Sequence, residues 1–199
     1  MKMVLASNNP GKLVELQAML APLGLELVCQ SELGIAEAQE PFRTFLENAL
    51  TKARHAARHS GLAAMADDAG LCVDAFGGRP GVDTAYYATQ FGFDKSDDNN
   101  VTALLQQMSG LANRRAAMVS TLVALRHADD PEPLVAVGRV VGEIAQERRG
   151  SNGFGFDPVM FIPEFGKTFA ELPIEVKNAN SHRGRAAKAM VELIRRNWL

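Results

Sequence analysis

The chain has 199 residues, 47% of them hydrophobic and 22% charged, which suits a globular protein with its own interior: one domain, or one core with a small lobe. Lys plus Arg number 21 against 23 Asp plus Glu, a net charge of −2, so the basic excess of a general nucleic-acid binder is missing, while a small anion held by a few placed cations stays open. Cys29 and Cys72 lie in apolar stretches outside any CxxC or Cys/His spacing, no apolar run nears the ~18–20 residues of a membrane span, and the N-terminal apolar run is too short for a signal peptide; the expectation is inert thiols, a cytoplasmic location and no membrane partner.

Residues 3–6 are a short apolar run that stops at Ser7-Asn8-Asn9-Pro10-Gly11. Leu13, Leu16, Gln17 and Leu20 then recur at helical spacing, with Gly24 as a stop, which predicts strand, polar turn, helix. Residues 25–29 form a second strand candidate. Thr44 with Glu47 three residues on fits a capping box, and Phe45, Ala49, Ala53, Ala56 and Ala57 give the helix an apolar face as far as Ser60-Gly61. Residues 62–66 read as a buried strand ended by Asp67-Asp68-Ala69-Gly70, with 71–75 extended beyond it. Gly77-Gly78-Arg79-Pro80-Gly81 reads as a loop and residues 99–108 as a helix. Residues 116–125 and 134–144 are rich in β-formers. The turn-rich stretch from His127 to Pro133 between them predicts a long antiparallel hairpin. A glycine-rich loop, 150–155, follows. The last helix, 182–197, carries Ala186, Ala189, Met190, Leu193 and Ile194 on its apolar face. There is no internal repeat and no domain linker, and the element order is mixed α/β.

Four polar clusters interrupt these elements. Ser7-Asn8-Asn9-Pro10-Gly11-Lys12 stands where a helix begins, so free N–H groups and the helix dipole favour an anion there. A lysine in that first turn, which the dipole disfavours, makes sense in front of one; a plain turn with a solvated lysine is the other reading. Asp67-Asp68 repel one another unless a divalent cation intervenes, and oxygen ligands favour Mg²⁺; a turn capped by the two side chains is the alternative. Gly153-Phe154-Gly155-Phe156-Asp157-Pro158 offers close backbone approach and an aromatic ring for a base, or else two core phenylalanines on a connection. Lys177 and Ser181-His182-Arg183 suit a phosphate or a base carbonyl, or a capped surface helix. His55 and His59 lie one turn apart without the HExxH pattern and read as a packed or solvated pair. Asp97-Asp98-Asn99-Asn100 reads as a polar helix start.

In order along the chain, Ala6-Ser7-Asn8-Asn9-Pro10-Gly11-Lys12, Thr44-Phe45-Leu46-Glu47-Asn48-Ala49, Ala66-Asp67-Asp68, Gly153-Phe154-Gly155-Phe156-Asp157-Pro158 and Ser181-His182-Arg183-Gly184 resemble the inosine/xanthosine triphosphate pyrophosphatase family. The resemblance covers nearly the whole chain. It implies one domain over 1–199, an α/β fold with a mixed sheet and a long central antiparallel hairpin flanked by helices, and two lobes around a nucleotide cleft. The implied reaction is Mg²⁺-dependent hydrolysis of deaminated purine nucleoside triphosphates (dITP, ITP, XTP) to monophosphate and pyrophosphate, carried out by a homodimer. The loop Ser7, Asn8, Asn9, Pro10, Gly11 and Lys12 would hold the triphosphate. Glu40 and Asp68 would bind metal, and Asp68 would activate water with Asp67 raising its pKa. Phe154, Gly155, Phe156 and Asp157 would stack on and read the base. Lys177, His182 and Arg183 would recognise the purine and its 6-oxo group.

Two positions depart from the family pattern. Ala69 stands where a serine is usual, which leaves a backbone contact possible and removes a hydroxyl. Thr84-Ala85-Tyr86 stands where the family tends to have Ser-Ala-Arg, so Tyr86 replaces a cation. These departures keep open a non-catalytic nucleotide binder on the same fold. A pyrophosphatase for another modified nucleotide, such as a pyrimidine, stays open beside it.

Overall fold

Alternation along short buried strands sets the layers. In this computed structural model, which describes residues 2–199, β1 (Lys2–Leu5) sends Met3 and Leu5 into one apolar cluster and Val4 into another, with Ala6 beyond it. β3 (Ala63–Val73) and β4 (Arg115–Leu125) repeat this: Met65, Leu122 and Ala124 join Met3 and Leu5, while Ala64, Ala66, Val123 and Leu125 join Val4. The first face is covered by α1 (Pro10–Leu20), through Leu16 and Leu20, and by the last helix, α5 (His182–Asn197), through Ala186, Ala187, Met190 and Ile194. The second is covered by α2 (Phe45–Ser60), whose Ala49, Ala53, Ala56 and Ala57 let it lie close to the sheet. Strands buried on both faces are what a helix–sheet–helix arrangement requires.

The sheet has seven strands in the order β2-β1-β3-β4-β5-β6-β7, with β2 at Glu26–Cys29, β5 at Leu134–Ile144, β6 at Met160–Ile162 and β7 at Lys167–Thr168. β1 is parallel to β2 and β3, and β6 is antiparallel to β5 and β7. The Ile144 N–H donates to the Arg114 carbonyl at 2.8 Å. That bond ties the end of β5 to the residue before β4, so these neighbours form the predicted antiparallel hairpin. The mixed sheet flanked by helices is the fold class the sequence implied.

The chain divides into two compact units: residues up to Asp68 with Ser120–Gly138 and His182–Leu199, and Ala69–Val119 with Arg139–Ser181. The first holds the layers just described. The second has its own core, in which Leu104 and Met108, from α3 (Asp97–Gln107) and its C-cap, meet Leu71, Val140, Phe156 and Phe169. Cys29 and Cys72 are free thiols, and among the described residues no helix is long and apolar enough to cross a membrane.

Three local expectations change. β3 does not stop before Asp67-Asp68 but runs through both to Val73, because each carboxylate finds partners on its own face and no turn is needed. The Thr44 cap is half of a capping box: its hydroxyl accepts from the Glu47 N–H at 3.2 Å and donates to the Glu47 carboxylate at 2.6 Å. The short helix α4 (Ile174–Asn180) and a 3₁₀ stretch at Gly81–Phe91 carry no periodicity long enough to read from sequence.

Gly138 in β5 is where α5 comes closest to the strand. A Cβ there would lie 1.9 Å from the His182 carbonyl oxygen and 2.5 Å from the Ala186 nitrogen. Backbone atoms cannot swing aside as a flexible side chain can. Gly138→Ala is therefore expected to lower stability by about 1–3 kcal/mol, read as a fall in the urea midpoint.

Candidate functional site

Because β3 continues, Asp67 and Asp68 point to opposite faces of the sheet. Asp67 follows Met65 toward α1 and α5, and Asp68 follows Ala66 toward α2. Adjacent in sequence, they belong to two separate charge clusters.

Asp67 is fully paired. Its Oδ1 accepts from the Ser120 hydroxyl at 2.6 Å. Its Oδ2 meets Arg183 Nε at 3.0 Å and Lys12 Nζ at 3.0 Å. Arg183 also gives Nη1 to Glu15 Oε2 at 2.7 Å. The cluster holds two carboxylates and two cations, so its formal charge is zero. Burial alone would raise the Asp67 pKa, but Lys12, Arg183 and the Ser120 hydroxyl outweigh it and hold the group well below the carboxylate range. Burial opposes the Arg183 charge too, and Asp67 and Glu15 prevail, so its pKa is raised. Lys12 goes the other way: burial, with the nearby positive charges of Arg183 and Lys52, outweighs Asp67 and lowers its pKa.

Asp68 is only half paired. Its Oδ1 takes the ammonium of Lys52 at 2.7 Å, and the same Nζ reaches Glu40 Oε2 at 3.1 Å and the Asp67 carbonyl oxygen at 3.2 Å. Asp68 Oδ2 is buried and has no hydrogen-bond partner among the described residues. A buried acceptor in that state is costly. Burial is the largest influence on this carboxyl; Lys52 opposes it, Glu40 adds to it, and the pKa rises to about 6. Asp67, on the far face and already neutralised, is not the cause that the sequence suggested.

An orphan carboxylate oxygen beside a second carboxylate fits a divalent cation. Among the described residues no three His, Cys, Asp or Glu side chains gather into a metal-holding group; Asp68 and Glu40, joined through Lys52, are the two carboxylates that could hold such an ion. Two carboxylates would suit Mg²⁺, an ion that completes its shell with waters and phosphate oxygens. Glu40 sits in a loop without regular structure. Nearby, buried Asn48 ties that loop to α2, accepting from the Phe42 N–H at 3.0 Å and donating to the Phe42 carbonyl at 3.1 Å.

The Ser7-to-Lys12 loop uses Ser7 and Asn9 on its own backbone. Asn9 Oδ1 caps α1 by accepting from the Gly11 and Lys12 amides, Ser7 Oγ accepts from the Asn9 N–H, and Asn8 donates to Glu37. Pro10 opens the helix. His182 is buried in the first turn of α5, and Ala69 is half-buried within β3. Ser181 closes α4, its N–H donating to the Lys177 carbonyl at 2.7 Å.

In the second unit, two carboxylates pin the phenylalanine loop. Asp157 Oδ2 accepts from the Phe154 N–H at 3.0 Å and meets Lys177 Nζ at 3.0 Å, with both side chains almost wholly buried. Asp97, in the first turn of α3, accepts from the Gly155 N–H at 2.9 Å. Lys177 Nζ stands 5.0 Å from the centre of the Phe154 ring. Gly153 is needed here: its φ is +80°, and a Cβ would meet Asp157 Oδ2 at 2.0 Å. Phe156 lies in the unit's core, whereas Phe154 stays partly exposed.

The structure thus brings Lys12 and Arg183 to Asp67, Glu40 to Asp68, and Lys177 and Asp157 to Phe154. Sequence reading missed Lys52, Glu15, Ser120 and Asn48. For Lys52 a signal existed: it falls on the alanine face of α2, one turn after Asn48 and before Ala56, where a solvated lysine does not belong. His55 and His59 stack at 4.2 Å, and His55 bonds the Ala36 carbonyl, as a packed pair.

Comparison with known proteins gives one consistent picture. The model of the Ham1 family matches residues 3–193. A dITP/XTP pyrophosphatase of Paracidovorax citrulli is 74% identical over 198 residues, covering 100% of both chains, and one of Albidiferax ferrireducens is 74% identical over 199 residues with the same coverage. Among solved structures, a HAM1 protein from Coxiella burnetii superposes with a TM-score of 0.91 at 38% identity, covering 98% of this chain and 99% of that one.

The two aspartates should respond unequally to substitution. Asp67→Asn strips the counter-charge from buried Lys12 and Arg183 and is expected to cost about 3–5 kcal/mol. Asp68→Asn should change stability by about 1 kcal/mol or less. Denaturant unfolding of both variants checks this. In the protein without metal, carboxyl NMR should find Asp68 titrating near pH 6. Since that folded value exceeds the ordinary carboxylate one, the group's stabilising contribution is complete below pH 3.8 and lost as pH rises through about 6.

Proposed function

The chain belongs to the Ham1 family, and we infer that it hydrolyses deaminated purine nucleoside triphosphates (dITP, ITP and XTP) to the monophosphate and pyrophosphate. The observation that carries this is full-length likeness to dITP/XTP pyrophosphatases at 74% identity. The site supports it with an orphan carboxylate oxygen, a flanking acid and two lysines converging on one backbone oxygen.

In this reading Glu40 and Asp68 hold Mg²⁺, which when bound neutralises charge on the phosphates as pyrophosphate leaves. Asp68 takes the proton of the attacking water. Its unpartnered oxygen is the acceptor placed to receive that proton. Lys12 holds the triphosphate, since an anion in front of it offsets the burial and neighbouring cations that lower its pKa. Phe154 stacks on the base, with Gly155, Asp157 and Lys177 fixing its loop. The two carboxylates on Arg183 give it a holding role, orienting Asp67 and through it Lys12. His182 then carries more of the recognition of the 6-oxo group, where a donor meets the purine carbonyl and leaves an adenine amino group unpaired. We place the protein in the cytoplasm as a homodimer. The outward Val135 and Val137 of β5, 39% and 58% exposed, suit a second copy.

With Mg²⁺, ITP, dITP and XTP should yield pyrophosphate and no single phosphate, and ATP should react far more slowly. Asp68→Asn should lower kcat by about 10²–10⁴ with its melting curve retained. A panel of triphosphates assayed separately for pyrophosphate and phosphate decides this; phosphate release or equal ATP turnover would refute it. For the dimer, light scattering should find twice the chain mass, falling to one in Val137→Asp.

A further inference from the structure

Lys52 makes contacts that bear on how the metal arrives. Its Nζ bonds Asp68 Oδ1, Glu40 Oε2 and the Asp67 carbonyl oxygen at 2.7, 3.1 and 3.2 Å. Three acceptors use all three N–H bonds of an ammonium group. The side chain is 11% exposed, on the alanine face of α2. Burial opposes its charge, yet Asp68 and Glu40 more than compensate and raise its pKa. Lys52 therefore sits as a cation on the two carboxylates assigned to the metal.

A second lysine stands against it. Lys12 Nζ donates to the same Asp67 carbonyl oxygen, also at 3.2 Å, and each ammonium feels the other. Glu40, Asp68 and Lys52 together carry one net negative charge, which is little attraction for a lone divalent ion. An ion held by these carboxylates would stand close to the Lys52 ammonium that already bonds both of them, and like charges repel. A polyphosphate changes the balance, because it brings several negative charges to two crowded lysines and compensates a divalent ion at the same time.

We propose that Lys52 is a built-in counter-ion that keeps the Glu40–Asp68 pair closed to free divalent metal, so that metal enters with a polyphosphate that draws the ammonium away. This rests on the reading of Glu40 and Asp68 as the metal ligands. Lys52 is a positioning residue in this scheme: in the free protein it aims Asp68 by holding Oδ1, which leaves Oδ2 as the oxygen open to a cation.

The test is binding of Mn²⁺, followed by electron paramagnetic resonance, first without any nucleotide. Wild type should bind weakly. Lys52→Met, without the competing charge, should bind about tenfold more tightly or better, and Lys52→Arg, which keeps a cation, should stay weak. Lys52→Gln replaces the methionine variant should that one fail to fold. With inorganic triphosphate added, wild type should bind Mn²⁺ and Asp68→Asn should not. Unchanged affinity in Lys52→Met, or equal tightening in Lys52→Arg, overturns the counter-ion role while the Asp68 dependence leaves the metal assignment standing. If Asp68→Asn binds Mn²⁺ with triphosphate as wild type does, the metal assignment falls and the proposal with it.

Discussion

Everything in the charged half of this molecule depends on one geometric fact: consecutive residues of a β-strand face opposite ways. β3 is buried on both sides where it carries Asp67 and Asp68. Two ionised groups side by side in a low-dielectric interior would be prohibitive on one face. On two faces each is a separate problem with its own solution. Asp67 is neutralised by Lys12 and Arg183 and becomes structural. Asp68 is left with one satisfied oxygen, a shifted pKa and the capacity to act.

The packing around β3 is arranged to permit this. The alanines of α2 bring its backbone close enough for Lys52 to reach the strand, and Asn48 on the same helix braces the loop that carries Glu40. On the other face α1 and α5 supply Lys12, Glu15 and Arg183 from positions in register with their apolar contacts. Gly138 lets α5 press its first turn against β5, which sets where Arg183 begins. The same local rule holds in the second unit, where carboxylates Asp157 and Asp97 each take a backbone N–H of the phenylalanine loop. A surface loop rich in glycine is thereby fixed, at the cost of a lysine and an aspartate buried together.

The functional reading joins these parts unequally. Reaction class follows from full-length family likeness, and the proposal of Asp68 as the base rests on a buried oxygen with no hydrogen-bond partner among the described residues. Arg183 has a structural part beside any role toward a ligand. Its guanidinium pairs with two buried carboxylates, Glu15 of α1 and Asp67 of β3, and so ties α5 to both elements.

Much of this was legible in the sequence. Apolar periodicity and turn residues gave β1, α1, α2, the hairpin and α5 near their observed bounds, because those signals are local and the core rewards them directly. Five motifs in order named the family and put forward Asp68 as the candidate carboxylate. The sequence could not say that β3 runs on through Asp67-Asp68, since two adjacent acids resemble a strand end until their partners are known. Those partners lie far off along the chain: Arg183 is 116 positions from Asp67, and Lys52 is 16 from Asp68. The residues by themselves thus determined the family, the order of the elements and the candidate groups, because those signals are local. Only tertiary structure decided which carboxylate is fully paired and which keeps an unpartnered oxygen, because that depends on which cations folding brings to each face of one strand.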